Sequence, residues 1–191
     1  RILGPDGEPV PEGYLESYPA PDLRSAINMT HCDRDGYFIH EVEEGYVGSL
    51  MVRAGSVTGL VGKRIDTVRA TRGVEPTLEI HLEAGGRIDG VVVDLVGHPV
   101  EAAHVGARPP IQTREGIFFF PRKEAKDERL WPHDYTDSEG KFTLYGIPEG
   151  ACSLQASRAD YGPSEPINLP PGTTEAQLVL RNECVLTGRL I

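Results

Sequence analysis

The 191-residue chain carries 29 acidic and 19 basic side chains, for a formal net charge of -10. This charge argues against nucleic acid as a partner, because an acidic surface repels phosphate backbones. No apolar run approaches the roughly 20 residues that cross a bilayer, which argues against direct membrane insertion. Its 39% hydrophobic and 25% charged residues are typical of a folded globular protein, long enough for two domains of ordinary size.

Short alternating apolar runs, punctuated by 22 Gly and 16 Pro, predict an all-β protein. Residues 32–38 read as an Asp-x-x-Gly turn followed by an alternating strand. The alternation is clearest at residues 77–82, where Leu78, Ile80 and Leu82 share the inner face of the predicted strand. His81 is then expected on its outer face.

The second half of the chain repeats the first, which indicates a tandem array. Three segment pairs carry the repeat: 2–10 with 90–100, 32–38 with 136–142, and 88–92 with 186–190. The spacing of Gly90 and Gly188 gives a period of about 98 residues, within the usual size of one domain.

The repeat divides the chain into two modules and the start of a third. The predicted boundaries are 1–83, 84–182 with an insertion at 109–135, and 183–191. The first module lacks the strand that should precede Arg1, so we expect that strand to be missing or to be supplied by residues outside the printed sequence. The junctions between modules are short, which favours close joining into a stiff rod.

This pattern resembles the carboxypeptidase regulatory-like domain, a transthyretin-like (prealbumin-like) β-sandwich. The resemblance rests on residues 88–94, 97–100, 102–107, 136–142, 146–150 and 154–159. It covers most of residues 84–182 and, more weakly, residues 1–83. It implies Ig-like Greek-key sandwiches of seven strands each.

The resemblance also implies a function without catalysis. In that family such domains serve as structural or interaction segments of larger extracytoplasmic proteins, at the cell surface, in the periplasm or secreted. The implied partners are neighbouring modules of the same chain. An alternative is regulation or folding support of an attached peptidase.

The insertion of the second module concentrates aromatic side chains. The candidate ligand-binding residues are Phe118, Phe119, Phe120, Trp131 and Tyr135. One interpretation is a strand whose alternate rings fill the core, with Trp131 covering a sheet edge. The alternative is that residues 116–135 form a stacking platform for a glycan or a protein ligand. The polar run that begins at Lys123 and ends before Trp131 is compatible with a short helix.

Motifs that suggest chemistry have simpler explanations. His98 and Glu101 match the His-x-x-Glu of zinc carboxypeptidases, but the pair straddles a proline turn without a third ligand. Residues 33–36 resemble part of an EF-hand loop whose first and twelfth positions supply no carboxylate. His40 takes the inward phase of its strand and diverges from His31. The sequence therefore predicts no enzyme, no metal and no cofactor.

The cysteines are Cys32, Cys152 and Cys184, too few and too scattered for a disulfide framework. Cys152 lies in phase with buried positions of its predicted strand, which favours a thiol packed in the core. A pair between Cys152 and Cys184 stays open, because sequence alone cannot supply the separation of their Cα atoms. Residues 28–30 match the acceptor triplet for an N-linked glycan.

Overall fold

The alternating segments form β-strands, and the protein is all-β as predicted. The computed structural model describes residues 1–19, 26, 28–55, 58–73, 77–110, 112–114, 117–119 and 130–182. These residues contain no α-helix, and thus none with the length and hydrophobicity that a bilayer crossing requires. They fall into two compact units. Unit 1 comprises described residues of 1–86, 130–131 and 145–149, and unit 2 comprises those of 87–119, 132–144 and 150–182.

Unit 1 contains a four-stranded antiparallel sheet and a short parallel pair. Its strands are β1 (Ile2–Leu3), β2 (Tyr14–Pro19), β3 (Asn28–His31), β4 (Val47–Arg53), β5 (Lys63–Arg69) and β6 (Ile80–His81). The four-stranded sheet has the order β3-β2-β4-β5, and β1 runs parallel to β6. The apolar faces meet in one core, formed by Ile2, Val10, Leu15, Leu50, Val52, Ile80 and Leu82.

Unit 2 also contains a four-stranded sheet and a parallel strand pair. The strands from Gly86 onwards are β7 (Gly86–Val93), β8 (His104–Arg108), β9 (Gln112–Arg114), β10 (Ile117–Phe119), β11 (His133–Tyr135), β12 (Lys141–Ile147), β13 (Cys152–Ser157), β14 (Tyr161–Gly162), β15 (Ile167–Leu169), β16 (Ala176–Val179) and β17 (Arg181–Asn182). One sheet has the order β11-β8-β13-β15, and a second has the order β12-β7-β16 with β7 and β16 parallel. Two pairs, β9 with β10 and β14 with β17, complete the pairing.

The same backbone hydrogen bonds hold the first strand of each unit to its Asp-x-x-Gly turn. In unit 1 the Ile2 amide donates to the Gly36 carbonyl at 2.8 Å. In unit 2 the Val92 amide donates to the Gly140 carbonyl, also at 2.8 Å. Both units therefore contain a first strand hydrogen-bonded to an Asp-x-x-Gly turn, an arrangement called the frame below. The predicted module boundaries and the count of seven strands per module remain predictions.

In each unit a late strand closes against the first in a matching way, β6 against β1 and β16 against β7. The Leu82 amide donates to the Leu3 carbonyl at 2.8 Å, and the Leu180 amide donates to the Val93 carbonyl at 2.9 Å. Both bonds continue a parallel ladder. Because parallel neighbours cannot be joined by a tight hairpin, the chain between them must cross to another sheet and return.

Three aspartates build the turns of this frame. Asp33, Asp94 and Asp137 each accept, through Oδ1, the backbone amides two and four residues later at 2.8–3.0 Å. The glycine three residues after each aspartate has a positive φ of 73–90°, a conformation that glycine adopts without steric cost. This turn chemistry agrees with the sequence pattern.

Two predicted strands of unit 1 differ from expectation. The alternating segment after the first turn, residues 37–43, forms no strand at all. The segment 77–82 is reduced to β6, although Ile80 and Leu82 are buried and His81 is exposed as the alternation requires. Neither 37–43 nor 77–79 pairs with a strand among the described residues, and a strand requires such a partner.

The glycine turns generate a matched pair of variants. We expect Gly140→Ala to destabilise the protein more than Gly97→Ala. Both glycines lie at positive φ, so each alanine carries roughly 1–2 kcal/mol of left-handed strain. A Cβ at Gly140 would also lie 2.6 Å from the Val92 carbonyl oxygen, whereas a Cβ at Gly97 meets no atom within 4 Å. Urea unfolding measures the free energy of unfolding of each variant. Equal losses of stability would contradict the close approach of Gly140 to the Val92 carbonyl.

Candidate functional site

The aromatic insertion is only partly covered by the described residues. Phe118 and Phe119 lie in β10, which pairs with β9 so that Phe118 is opposite Thr113 and Phe119 is opposite Gln112. The interpretation of this run as a strand therefore agrees with the backbone. Phe120 and the helix considered before Trp131 lie outside the described residues.

Trp131 lines a cavity in unit 1. The cavity has a volume of about 390 Å³. Its apolar lining residues are Val61, Leu130, Trp131 and Pro148, and its charged lining residues are Lys63, Arg64 and Asp66. Trp131 and Leu130 are both half-buried. The cavity thus combines an aromatic ring with both signs of charge, which is a common lining for small-ligand sites.

Hydrogen bonds hold the charged lining in place. Arg64 Nη2 lies 2.6 Å from Asp66 Oδ1, and Ser49 Oγ donates to the same carboxylate oxygen at 3.0 Å. Lys63 Nζ donates to the His81 carbonyl at 3.1 Å. The start of β5 therefore presents a hydrogen-bonded polar surface beside Trp131.

Tyr135 belongs to a separate cluster in unit 2 that sequence reasoning did not find. Because β11 pairs with β8, Tyr135 comes opposite His104, and the two ring centroids are 5.3 Å apart. The His133 ring, two residues before Tyr135 on β11, lies 5.5 Å from the His104 ring. Tyr135 is 63% exposed. The cluster is a small aromatic surface of half-buried and exposed rings.

The ionisation of His104 is shifted by its surroundings. Burial lowers the pKa of His104 below its ordinary value of 6.5, and the nearby His133 and Arg108 lower it further. The ring of His104 is thus neutral at pH 7 and makes an aromatic rather than a cationic contribution to the surface.

The residues considered for metal binding do not converge. His98 Nδ1 lies 3.3 Å from Asp94 Oδ2 in its own turn. His40 Nδ1 lies 2.8 Å from Thr30 Oγ1, while His31 is exposed. Within the described part of the chain, no three His, Cys, Asp or Glu side chains are grouped closely enough to hold a metal ion.

The thiols serve packing in the described structure. Cys152 is a free, fully buried cysteine on β13, and its burial raises the pKa of the thiol to about 11. A thiol with such a pKa is a poor nucleophile at neutral pH. Cys32 is also free and its Sγ lies 3.0 Å from the Val10 carbonyl. Cys184 lies outside the described residues.

Comparison with known proteins gives similarity at the level of structure alone. No protein-family model and no curated protein sequence matches the chain. The shaft pilin SpaA from Lactobacillus rhamnosus GG is 11% identical, with 98% of this chain and 91% of that chain covered and a TM-score of 0.36. The minor pilin of Streptococcus agalactiae is 11% identical, with 100% and 98% covered and a TM-score of 0.33.

The TIE protein of Bacillus anthracis is a third similar structure, at 14% identity and a TM-score of 0.34. The match covers 95% of this chain and 32% of that protein. These identities and TM-scores do not carry a function from those proteins to this chain. The all-β class rests on the strands described above, and the resemblance to the carboxypeptidase regulatory-like domain stays a prediction.

The His104 cluster generates a titration experiment. We expect NMR titration to give His104 a midpoint below 6.5, and His133→Gln to raise that midpoint without restoring it fully, because burial is the larger cause. His81→Gln, an exposed change in unit 1, is the control and leaves the midpoint unchanged. Because the pKa of His104 is lower in the folded protein than in the unfolded chain, the unfolded chain protonates this ring at a higher pH. The free energy of unfolding of unit 2 therefore decreases as the pH falls below 6.5. A midpoint at or above 6.5 would contradict the described packing.

Proposed function

We propose that the chain is a non-catalytic structural segment of a larger extracytoplasmic protein, in which β-sandwich modules associate with neighbouring modules of the same chain. The observation that carries the proposal is the parallel pairing of β1 with β6 in unit 1 and of β7 with β16 in unit 2. The resemblance to carboxypeptidase regulatory-like repeats leads to the same function.

The parallel pairing suits a segment that transmits tension. In unit 2 the ladder pairs Gly90 with Ala176 and Val93 with Val179. Tension on the two ends of the unit pulls β7 and β16 in opposite directions along their axes, across the hydrogen bonds. All bonds of the ladder then carry load together, whereas a ladder pulled from one end opens one bond at a time. The unit is therefore built to resist extension.

The acidic residues of the frame also fit a structural role. The carboxylates of Asp33, Asp94 and Asp137 bind the backbone amides of their own turns. Removing such an acceptor takes away two hydrogen bonds of the turn and so destabilises it. We interpret these carboxylates as parts of the fold and not as general acids or ligands.

Single-molecule force spectroscopy tests the proposal. With handles at Arg87 and Arg181, tension shears the β7–β16 ladder, and we expect a high unfolding force. With handles at Val96, in the exposed turn after β7, and at Arg181, the same ladder opens from one end and the unfolding force is lower. The protein and its stability are the same in both measurements. Equal forces in the two geometries would overturn the mechanical role.

A second function, carbohydrate or peptide binding, is favoured by the cavity at Trp131. Its volume of about 390 Å³ lies within the roughly 300–1,000 Å³ typical of small-ligand pockets. An indole ring beside an Arg–Asp pair would allow both stacking and hydrogen bonds to a sugar ring or a peptide.

The single tryptophan of the chain reports directly on that cavity. We expect a glycan or peptide that binds there to change Trp131 fluorescence saturably. Trp131→Ala is expected to abolish binding on a glycan and peptide array, while Tyr135→Ala, the matched aromatic change in unit 2, retains it. Binding that survives Trp131→Ala and is lost in Tyr135→Ala would place recognition at the His104 cluster instead.

A further inference from the structure

One place in the four-stranded sheet of unit 2 has an exact counterpart in unit 1. The Cys32 amide donates to the Gly13 carbonyl at 2.8 Å, and the Thr136 amide donates to the Ala103 carbonyl at 3.0 Å. Each acceptor directly precedes a strand, β2 or β8, and each donor directly precedes the aspartate of an Asp-x-x-Gly turn. The strand residues next to these bonds are therefore equivalent in the two units.

A tyrosine and a histidine form a cross-strand pair at this place in each unit. In unit 1, Tyr14 on β2 is opposite His31 on β3, and their ring centroids are 5.6 Å apart. In unit 2, His104 on β8 is opposite Tyr135 on β11, with centroids 5.3 Å apart. The two residue types have exchanged strands, yet the pair is retained. We call these the Tyr14 pair and the Tyr135 pair.

Both pairs lie on the outer face of their sheet. The next residues along β2 and β8, Leu15 and Val105, are fully buried. Because successive strand residues point to opposite faces, the rings point away from the core. His31 is exposed, and so is Tyr135. A cross-strand ring pair stabilises a sheet, and here it also gives each unit an accessible aromatic surface.

An arginine lies beside each pair. In unit 1, Arg53 is opposite Tyr14 on β4, and its guanidinium carbon is 6.0 Å from the centroid of the Tyr14 ring. In unit 2, Arg108 shares the outer face of β8 with His104, because four residues separate them. Burial, the nearby His133 and the charge of Arg108 all lower the pKa of His104, which indicates that the guanidinium is close to that ring.

Acidic side chains do not engage the ring pairs in the described part of the chain, although the sequence has 29 acidic residues. No described aspartate or glutamate forms an ion pair or a hydrogen bond with the side chains of Tyr14, His31, Arg53, His104 and Tyr135. Glu16, two residues after Tyr14 on β2, accepts a hydrogen bond from the Tyr18 hydroxyl at 3.0 Å. Its equivalent in unit 2 is Gly106. The ring pairs are therefore open to an acidic ligand, and the arginines supply the complementary charge.

The chemistry of these surfaces suits a sugar ring that carries a carboxylate. Both β2 and β8 are paired along both edges, so an extended peptide cannot add to them through backbone hydrogen bonds. An aromatic ring offers an apolar face for stacking, and a guanidinium binds a carboxylate through charge-assisted hydrogen bonds. The polar atoms of tyrosine and histidine form hydrogen bonds with hydroxyl groups. A uronic acid presents an apolar ring face, hydroxyl groups and a carboxylate together.

We propose that each unit has a binding site for a carboxylate-bearing sugar. Its residues are Tyr14, His31 and Arg53 in unit 1, and His104, Arg108 and Tyr135 in unit 2. The sugar ring stacks on the tyrosine, and its carboxylate pairs with the arginine. These sites share no residue with the Trp131 cavity. The proposal depends neither on that cavity nor on the mechanical role.

NMR titration with a trimer of galacturonic acid tests both sites separately. The backbone amides of Leu15 and Val105, next to the rings, are expected to shift saturably. Tyr14→Ala is expected to abolish the shift of Leu15 and to retain that of Val105, and Tyr135→Ala is expected to do the reverse. Arg53→Gln is expected to raise the Kd measured at Leu15 about ten- to hundredfold, because a charge-assisted pair is lost.

Matched controls define the ligand and the residues. Tyr37→Ala removes a tyrosine of unit 1 that is 56% exposed and lies outside the Tyr14 pair, and it keeps both responses. A galactose trimer with the same linkage, which lacks the carboxylates, is expected to shift neither amide. In each tyrosine variant the retained response of the other unit verifies that the protein is folded.

Four outcomes would overturn the proposal. An unsubstituted protein without a saturable shift at Leu15 or at Val105 has no such site in that unit, and the pair then serves the sheet alone. Equal shifts with the galactose trimer would overturn the acidic ligand. Shifts of the same amides by a glutamate-rich peptide but not by the acidic trimer would overturn the sugar. A trimer that changes Trp131 fluorescence without shifting either amide binds in the cavity instead.

Discussion

The parallel hydrogen bonding of β1 with β6 and of β7 with β16 is the constraint on which the remaining structure depends. Leu3 accepts from Leu82 in unit 1, and Val93 accepts from Leu180 in unit 2. Parallel neighbours need a crossover between them, so the intervening chain forms the four-stranded antiparallel sheet that packs over the apolar side of the pair. The core residues of unit 1, from both sheets, are brought together by this return of the chain.

The same constraint explains where the polar chemistry of the chain is used. A chain that crosses between sheets needs tight turns at fixed places. The turn aspartates stabilise such turns by accepting hydrogen bonds from the backbone amides that follow them. Two other concentrations of ring and charge in the described residues are the cavity at Trp131 and the cluster of His104, His133 and Tyr135. Both involve an edge strand of a four-stranded sheet, β5 for the cavity and β11 for the cluster, so a ligand site there is compatible with a structural frame.

Sequence reasoning found the features that are local and missed those that depend on register. The Asp137 turn and the strand through Phe142 follow from spacing alone, and the phase of Cys152 correctly indicated a buried thiol. The pattern after Asp33 is nearly the same, yet it forms no strand, because a strand needs a partner that local pattern does not reveal. The contact of Tyr135 with His104 is set by cross-strand pairing, which no spacing in the sequence encodes.

Native-state hydrogen exchange of the Leu82 and Leu180 amides tests the central claim most directly. Both donate across the parallel ladder that closes their unit. If this closure holds the unit together, they exchange only through unfolding of the whole unit, at the slowest rates measured and with the full dependence on denaturant. Exchange of these amides through local opening, while amides of the four-stranded sheets stay protected, would contradict the account.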